Sequence, residues 1–204
     1  MTSFIQDALF DPEVKRAMEQ TMLSPVAAVG TVQAAGVTAL EYGSQVVAGP
    51  HTTVLSLNRL AVTVADTTPG TQSGGTKIYT FPKCKFNRLG AVAKSMTFIT
   101  ADIAGINASV SSRYGVGTTV GVNATLATTE QDIVQVTTFT SSAVSGAVNV
   151  AAVTGYGVGV FTLLDFTTTS DIFFNISVPG ATDIDADCIV YVNGVVTINW
   201  IGLA

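Results

Sequence analysis

The sequence predicts an all-β protein, a β-sandwich or jelly-roll-like domain with a short N-terminal helical arm. Three observations carry that prediction. From residue 52 onward, short β-branched runs recur, each bounded by Gly, Asn, Asp, Ser or Pro, the spacing of a sandwich and not of a parallel α/β fold. After Met22 no stretch shows convincing helical amphipathicity. Charge is also scarce. Charged residues make up 11% of the 204 residues and hydrophobic ones 48%, where an ordinary soluble domain carries about 25% charged. With a mean hydropathy of +0.48, such a chain is best accommodated when other protein chains cover much of its surface.

Three segments follow from the pattern: an arm over 1–25, an extended connector or edge strands over 26–51, and the β domain over 52–204. In the arm, Asp11 suits a helix cap, Pro12 the first helical position and Glu13 the positive end of the helix. Val14, Ala17, Met18 and Met22 recur at helical spacing, and Pro25 ends the pattern. Phe4, Ile5, Leu9 and Phe10 add apolar surface ahead of it. That surface either packs on its own domain or docks on a neighbouring subunit. In the second case Phe4, Ile5, Leu9, Phe10, Val14, Met18 and Met22 are the partner-binding residues. From Val26 to His51, Gly30, Gly36, Gly43 and Gly49-Pro50 cut the chain into short extended pieces.

The β domain opens with Leu55 and Leu57 alternating, then Leu60, Val62 and Val64 alternating in the opposite phase. A phase change inside a strand marks a bulge, here near Asn58-Arg59. Residues 66–76 read as a loop by composition. A strand over Ile78–Phe81 is halted by Pro82, and others are expected over 90–100, 106–114, 133–140, 147–152, 157–164 and 171–178. The final run, Cys188 to Ala204, holds two β-branched stretches around Asn193-Gly194. Either that pair is a type I′ hairpin turn, or the run is one long strand kinked at Gly194. The hairpin would put Ile189, Tyr191, Val196, Ile198 and Trp200 on one apolar face.

Little in the chain suggests catalysis. Gly115-Val-Gly117-Thr-Thr-Val-Gly121 has the wrong spacing for a phosphate-binding loop, and no helix or Lys-Ser/Thr follows. His51 is the sole histidine, beside Gly49-Pro50 and without a triad or metal motif around it. Asp183, Asp185 and Asp187 alternate, so an extended backbone puts three carboxylates on one side, a set that attracts Ca²⁺. Cys188 and Gly194 stand where an EF-hand needs Gly and Glu, which leaves a solvated loop or an open calcium site. The expectation is no enzyme, no cofactor and no assigned metal. A net charge of −5 and a pI near 4.6 argue against wrapping nucleic acid. The uncharged run between Asp132 and Asp165 is too rich in Gly, Ser, Thr and Asn for a membrane span. No secretory signal is read at Met1, so synthesis is expected in a cytoplasm, with Cys84 and Cys188 as small buried thiols or, alternatively, bridged. Lys83, Lys85, Arg88 and Lys94 cluster in sequence as a charged sheet edge or a patch for an acidic partner.

The segment Tyr114-Gly-Val-Gly-Thr-Thr-Val-Gly-Val-Asn-Ala-Thr-Leu-Ala-Thr-Thr-Glu-Gln-Asp-Ile133 resembles a recurring feature of tailed-bacteriophage structural proteins. The ending Val190-Tyr-Val-Asn-Gly-Val-Val-Thr-Ile-Asn-Trp-Ile-Gly-Leu203 is similar to the last strands of the same proteins. The likeness spans roughly residues 52–204 and points to capsid decoration, or cement, proteins. Membership would imply a β-sandwich or jelly-roll subunit, a homodimer or homotrimer, bound to the major capsid protein on the outside of the head. It would also imply no enzymatic activity, no cofactor, no nucleic acid or membrane partner, and a virion location after assembly in the host cytoplasm. Two other readings stand beside it: a carbohydrate- or receptor-binding β-sandwich, and a jelly-roll coat protein.

Overall fold

The computed structural model describes residues 25–26, 30–43, 49–65, 72–82, 84–100, 111–122, 125–140, 148–156, 162–166, 170–178 and 187–203. The expected helical arm lies outside them. In chain order the strands are β1 (Pro25–Val26), β2 (Thr31–Val32), β3 (Val37–Gly43), β4 (Gly49–Val64), β5 (Ser73–Phe81), β6 (Cys84–Thr100) and β7 (Ser111–Gly117). A 3₁₀ turn, Thr128–Glu130, precedes β8 (Val134–Thr140), β9 (Val148–Tyr156), β10 (Thr162–Phe166), β11 (Ser170–Ser177) and β12 (Cys188–Leu203). The fold is all-β, built from two antiparallel sheets. The seven-stranded sheet runs β1-β3-β4-β12-β6-β10, with β9 also on β6, and the five-stranded sheet runs β2-β5-β11-β7-β8.

Strand pairing is nested. β4 pairs with β12, β5 with β11, β6 with β9 and β10, and β7 with β8. Elements far apart in sequence therefore face each other, and the chain passes repeatedly from one sheet to the other. One apolar core lies between them, drawing Leu55, Val62, Val196 and Trp200 from the larger sheet and Ile78, Tyr114, Phe174 and Ile176 from the smaller. Aromatic contacts bridge the layers, Phe98 with Tyr114 at 5.4 Å among them. Phe81 meets Trp200 edge-on at 5.2 Å, and Phe98 stacks on Phe139 at 3.8 Å. Each such pair adds about 0.5–1.5 kcal/mol beyond area burial.

Along β4 the burial pattern alternates, breaks at Asn58 and Arg59, which are both exposed, and resumes at Leu60. The bulge sits where the phase change predicts it. Opposite it, β12 is one continuous strand, so the second reading of Asn193-Gly194 is the one the fold adopts. Only Gly194 has a positive φ there, +148°, whereas a type I′ turn needs one at both positions. The physical reason is that β12 finds a partner on each side, β4 and β6, and a hairpin would forfeit those two ladders. Its inward face is accordingly Cys188, Val190, Val192, Val196, Ile198 and Trp200. Ile189 and Tyr191, expected inside, point outward. A Cβ on Gly194 would lie 2.4 Å from the Met96 sulfur, so close packing also demands glycine there.

Several predicted boundaries shift: the strand expected over 90–100 begins at Cys84, and the one expected over 147–152 runs on to Tyr156. The expected loop over 66–76 gives way to strand at Ser73, because β5 crosses β4 so closely that a Cβ on Gly74 would overlap the Thr63 carbonyl. The strand expected to end at residue 114 continues to Gly117. There a Cβ would meet the Thr129–Glu130 backbone at 2.3 Å. In both places glycine serves close approach, and composition alone reads it as a turn.

Candidate functional site

Three polar arrangements stand out against the apolar core. The first is buried at one end of the larger sheet. Register places Gly43 opposite His51 and Glu41 opposite Thr53 on the β3–β4 ladder, and Trp200 opposite His51 on β12. His51 Nδ1 lies 2.7 Å from Glu41 Oε1, and both side chains are fully buried. The imidazole stacks on Trp200 at 4.0 Å, and Trp200 Nε1 donates to Thr53 Oγ1 at 2.9 Å. From the opposite sheet the Tyr79 hydroxyl donates to Glu41 Oε2 at 3.2 Å and accepts from the Gly30 N–H at 2.9 Å. Burial, with the Glu41 charge beside it, pushes the Tyr79 hydroxyl well above its ordinary value of 10.0. This cluster ties both sheets to the segment entering at Gly30. The depression beside it, lined by Tyr42, Gly43, Pro50, His51 and Thr52, has a volume of about 180 Å³, below the roughly 300–1,000 Å³ of ordinary ligand sites. With its ring enclosed, His51 is placed to join strands and has no face open to a substrate.

The second arrangement is the loop between β7 and β8, the region that carries the resemblance. Asn175 on β11 is fully buried and organises it. Its Nδ2 donates to the carbonyls of Thr119 and Glu130, at 2.9 and 2.7 Å, and its Oδ1 accepts from the Gly121 N–H at 2.8 Å. Glu130 accepts from the N–H groups of Val122 and Ala127, at 2.6 and 2.5 Å. Asp132 accepts from the Thr118 N–H and hydroxyl, at 2.9 and 2.8 Å. The glycines of 115–121 thus lie under a folded loop, and the acids near them hold backbone in place. Asn175, which heads a glycosylation triplet, has no exposed surface on which to carry a glycan.

The third arrangement is on the outer face of the larger sheet. Three neighbouring strands are irregular at the same level. Residues 58 and 59 of β4 oppose Asn193, and residues 95 and 96 of β6 oppose Gly194. Arg59 and Ser95 each adopt φ = +54°, a left-handed conformation that costs a residue with a Cβ about 1–2 kcal/mol. Asn193 pins the feature: its Oδ1 accepts from the Arg59 N–H at 2.9 Å, and its Nδ2 donates to Thr97 Oγ1 at 3.3 Å. The Arg59 guanidinium lies over the Tyr191 ring, 4.6 Å from its centre.

Among the residues singled out in the sequence, Phe4, Ile5, Leu9, Phe10, Val14, Met18 and Met22 lie outside the described residues, as do Asp183 and Asp185. Asp187 is exposed, and no group of three or more metal-ligating side chains occurs among the described residues. Lys94 is exposed. Cys188 is buried at the start of β12, whereas Cys84 starts β6, which runs antiparallel to it with Lys85 beside Leu203. Fifteen residues of strand separate the two positions along the sheet, about 50 Å. That rules out a bridge between them within one chain. Sequence reasoning missed Glu41, Tyr79, Asn175 and the Arg59–Tyr191 pair. Only the last had a signal, since a bulge at 58–59 brings an extra residue to the outer face.

Comparison with protein-family models, with curated proteins and with solved structures finds no match.

Proposed function

We propose that the protein is a structural component of a virion, a decoration protein that binds the outer capsid surface and stabilises the head by bridging coat subunits. Nested pairing of the described strands carries this reading. Counted from β4 inward, β4 with β12, β5 with β11, β6 with β9 and β10, and β7 with β8 form a nest that supports a jelly roll, the architecture of viral capsid and lectin domains, with β1–β3 added outside it. Within that pair of uses, the aromatic residues favour the capsid. Among the described residues Tyr79, Phe81, Tyr114, Phe174 and Trp200 are fully buried and the outward ring of Tyr191 lies under Arg59, whereas a sugar-binding face displays open rings. Low charge and high apolar content suit a chain covered by copies of itself and a coat lattice. On such a lattice weak single contacts sum to tight attachment. The reading assigns no bond chemistry and no cofactor, a homodimer or homotrimer as the working unit, and the major capsid protein as partner, with the arm at 1–25 reaching to a neighbour.

The test is co-sedimentation of the purified full chain with empty heads assembled from the coat protein of the same genome. Saturable binding in proportion to coat subunits, with heads surviving higher temperature, is the expected result. Failure to sediment, with reproducible glycan-array hits, would favour the receptor-binding alternative. Closed shells formed by the isolated chain would favour a coat protein.

A further inference from the structure

We propose that the outer face of the seven-stranded sheet, centred on Arg59, is the docking surface, and that it takes a protein surface bearing carboxylates. This rests on the decoration reading and names the face and the chemistry of the contact. In a regular strand, consecutive residues point to opposite sides of the sheet. Here the stacked irregularities leave both Asn58 and Arg59 exposed on β4, and both Lys94 and Ser95 exposed on β6, so extra polar residues stand on the solvent side. Bulges of this kind re-aim side chains. Glycine would occupy φ = +54° without strain, and the chain places Arg59 and Ser95 there instead. Arg59 is also held in place. Its backbone is fixed by Asn193 and its guanidinium rests on Tyr191, so little side-chain freedom remains to be lost on binding. Arg and Tyr are the residue types that dominate protein–protein hot spots.

Charge selects the partner. Among the described residues of β3, β4, β12 and positions 90–99 of β6, the sole carboxylate is Glu41, which is buried. Over these positions the face presents Arg59 and Lys94 and no exposed acid, Asp187 being the exposed carboxylate just ahead of β12, on a chain whose net charge is −5. Among the described residues neither cation forms an ion pair, whereas Lys77 on the other sheet is already bound to Asp171 at 2.8 Å. A mostly uncharged surface with two basic groups on neighbouring bulges complements a surface that offers acids.

The experiment measures binding of the full chain to empty heads for wild type, the double variant R59E/K94E, the milder R59Q/K94Q, and K77Q as a control on the smaller sheet. Binding by both double variants about tenfold or more weaker than wild type, with K77Q unchanged, is the expected result. Wild-type affinity falls with added salt, and the double variants flatten that dependence. R59Q/K94Q keeps the test decisive if charge reversal impairs folding. Should wild type bind and both double variants bind equally well, the face is wrong and the decoration reading survives. Should wild type fail to bind at all, both fall together.

Discussion

Replacing Tyr79 with Phe tests the account of the buried cluster, because it removes one oxygen and leaves the ring. At neutral pH the variant loses the hydroxyl that donates to Glu41 and accepts from Gly30. One hydrogen bond to a charged group and one to backbone are removed, and the expected cost is about 2 kcal/mol. The pH dependence is more diagnostic. In the folded protein the Tyr79 hydroxyl titrates above its ordinary value of 10.0, because burial and the Glu41 charge disfavour the phenolate. The unfolded chain therefore releases this proton first. The stabilisation is fully present below pH 10 and is lost as pH rises through the folded value, at about 1.4 kcal/mol per pH unit. At pH 11 the roughly 2 kcal/mol gap between wild type and Y79F shrinks to about 0.6 kcal/mol. Urea unfolding of both proteins at intervals from pH 7 to 11 measures the gap directly, and the chain's other tyrosines cancel in the difference. A gap that stays constant across that range would refute the reasoning, since it would mean that Tyr79 titrates alike in both states.

Gly194→Ala introduces a Cβ against the Met96 sulfur at a φ of +148°, and a loss of about 1–3 kcal/mol is expected, read as a lowered Tm. At Asp171, partial burial raises the carboxyl pKa, but hydrogen bonds from Lys77 and Thr80 and the Lys77 charge outweigh it and hold the value below 3.8. Its contribution is thus present above pH 3.8 and lost as pH falls through the folded value. Because the pair is well exposed, D171N should cost no more than about 0.5 kcal/mol at pH 7 and nothing in strong acid, by the same unfolding assay. Under non-reducing conditions, peptide mapping by mass spectrometry is expected to find no bridge joining Cys84 to Cys188 within one chain.

Legibility in the sequence followed the range of the interactions. Alternation is local, so the all-β class, the strands near 133–140 and 171–178, and the bulge at Asn58-Arg59 could be read directly. The bulge was readable because burial on one face forces the hydrophobic phase to shift where a residue is inserted. Asn193-Gly194 stayed open between two readings for a complementary reason. Its local chemistry fits a turn, but the outcome was decided by β4 and β6, strands roughly a hundred residues away or more in the chain. His51 read as isolated because Glu41, Tyr79 and Trp200 reach it only through sheet register and packing between the sheets. Asn175 gave no sign of its role, since no local pattern marks an amide as the hub of a loop some fifty residues earlier. Glycines 74 and 117 were indistinguishable from turn glycines because the backbones that crowd them come from elsewhere.

The place of β12 between β4 and β6 has a consequence for biogenesis. Both neighbours leave the ribosome well before it, and β6 ends at Thr100 while β12 runs to Leu203. At about 5–20 residues per second, roughly 5–20 s of translation separate the completion of those two strands. Throughout that interval the nascent chain carries two long edges awaiting the same late strand, each able to recruit a sister chain instead. Slow maturation, sensitivity to crowding on polysomes and a demand for chaperone protection would follow from where one strand sits in the order of synthesis.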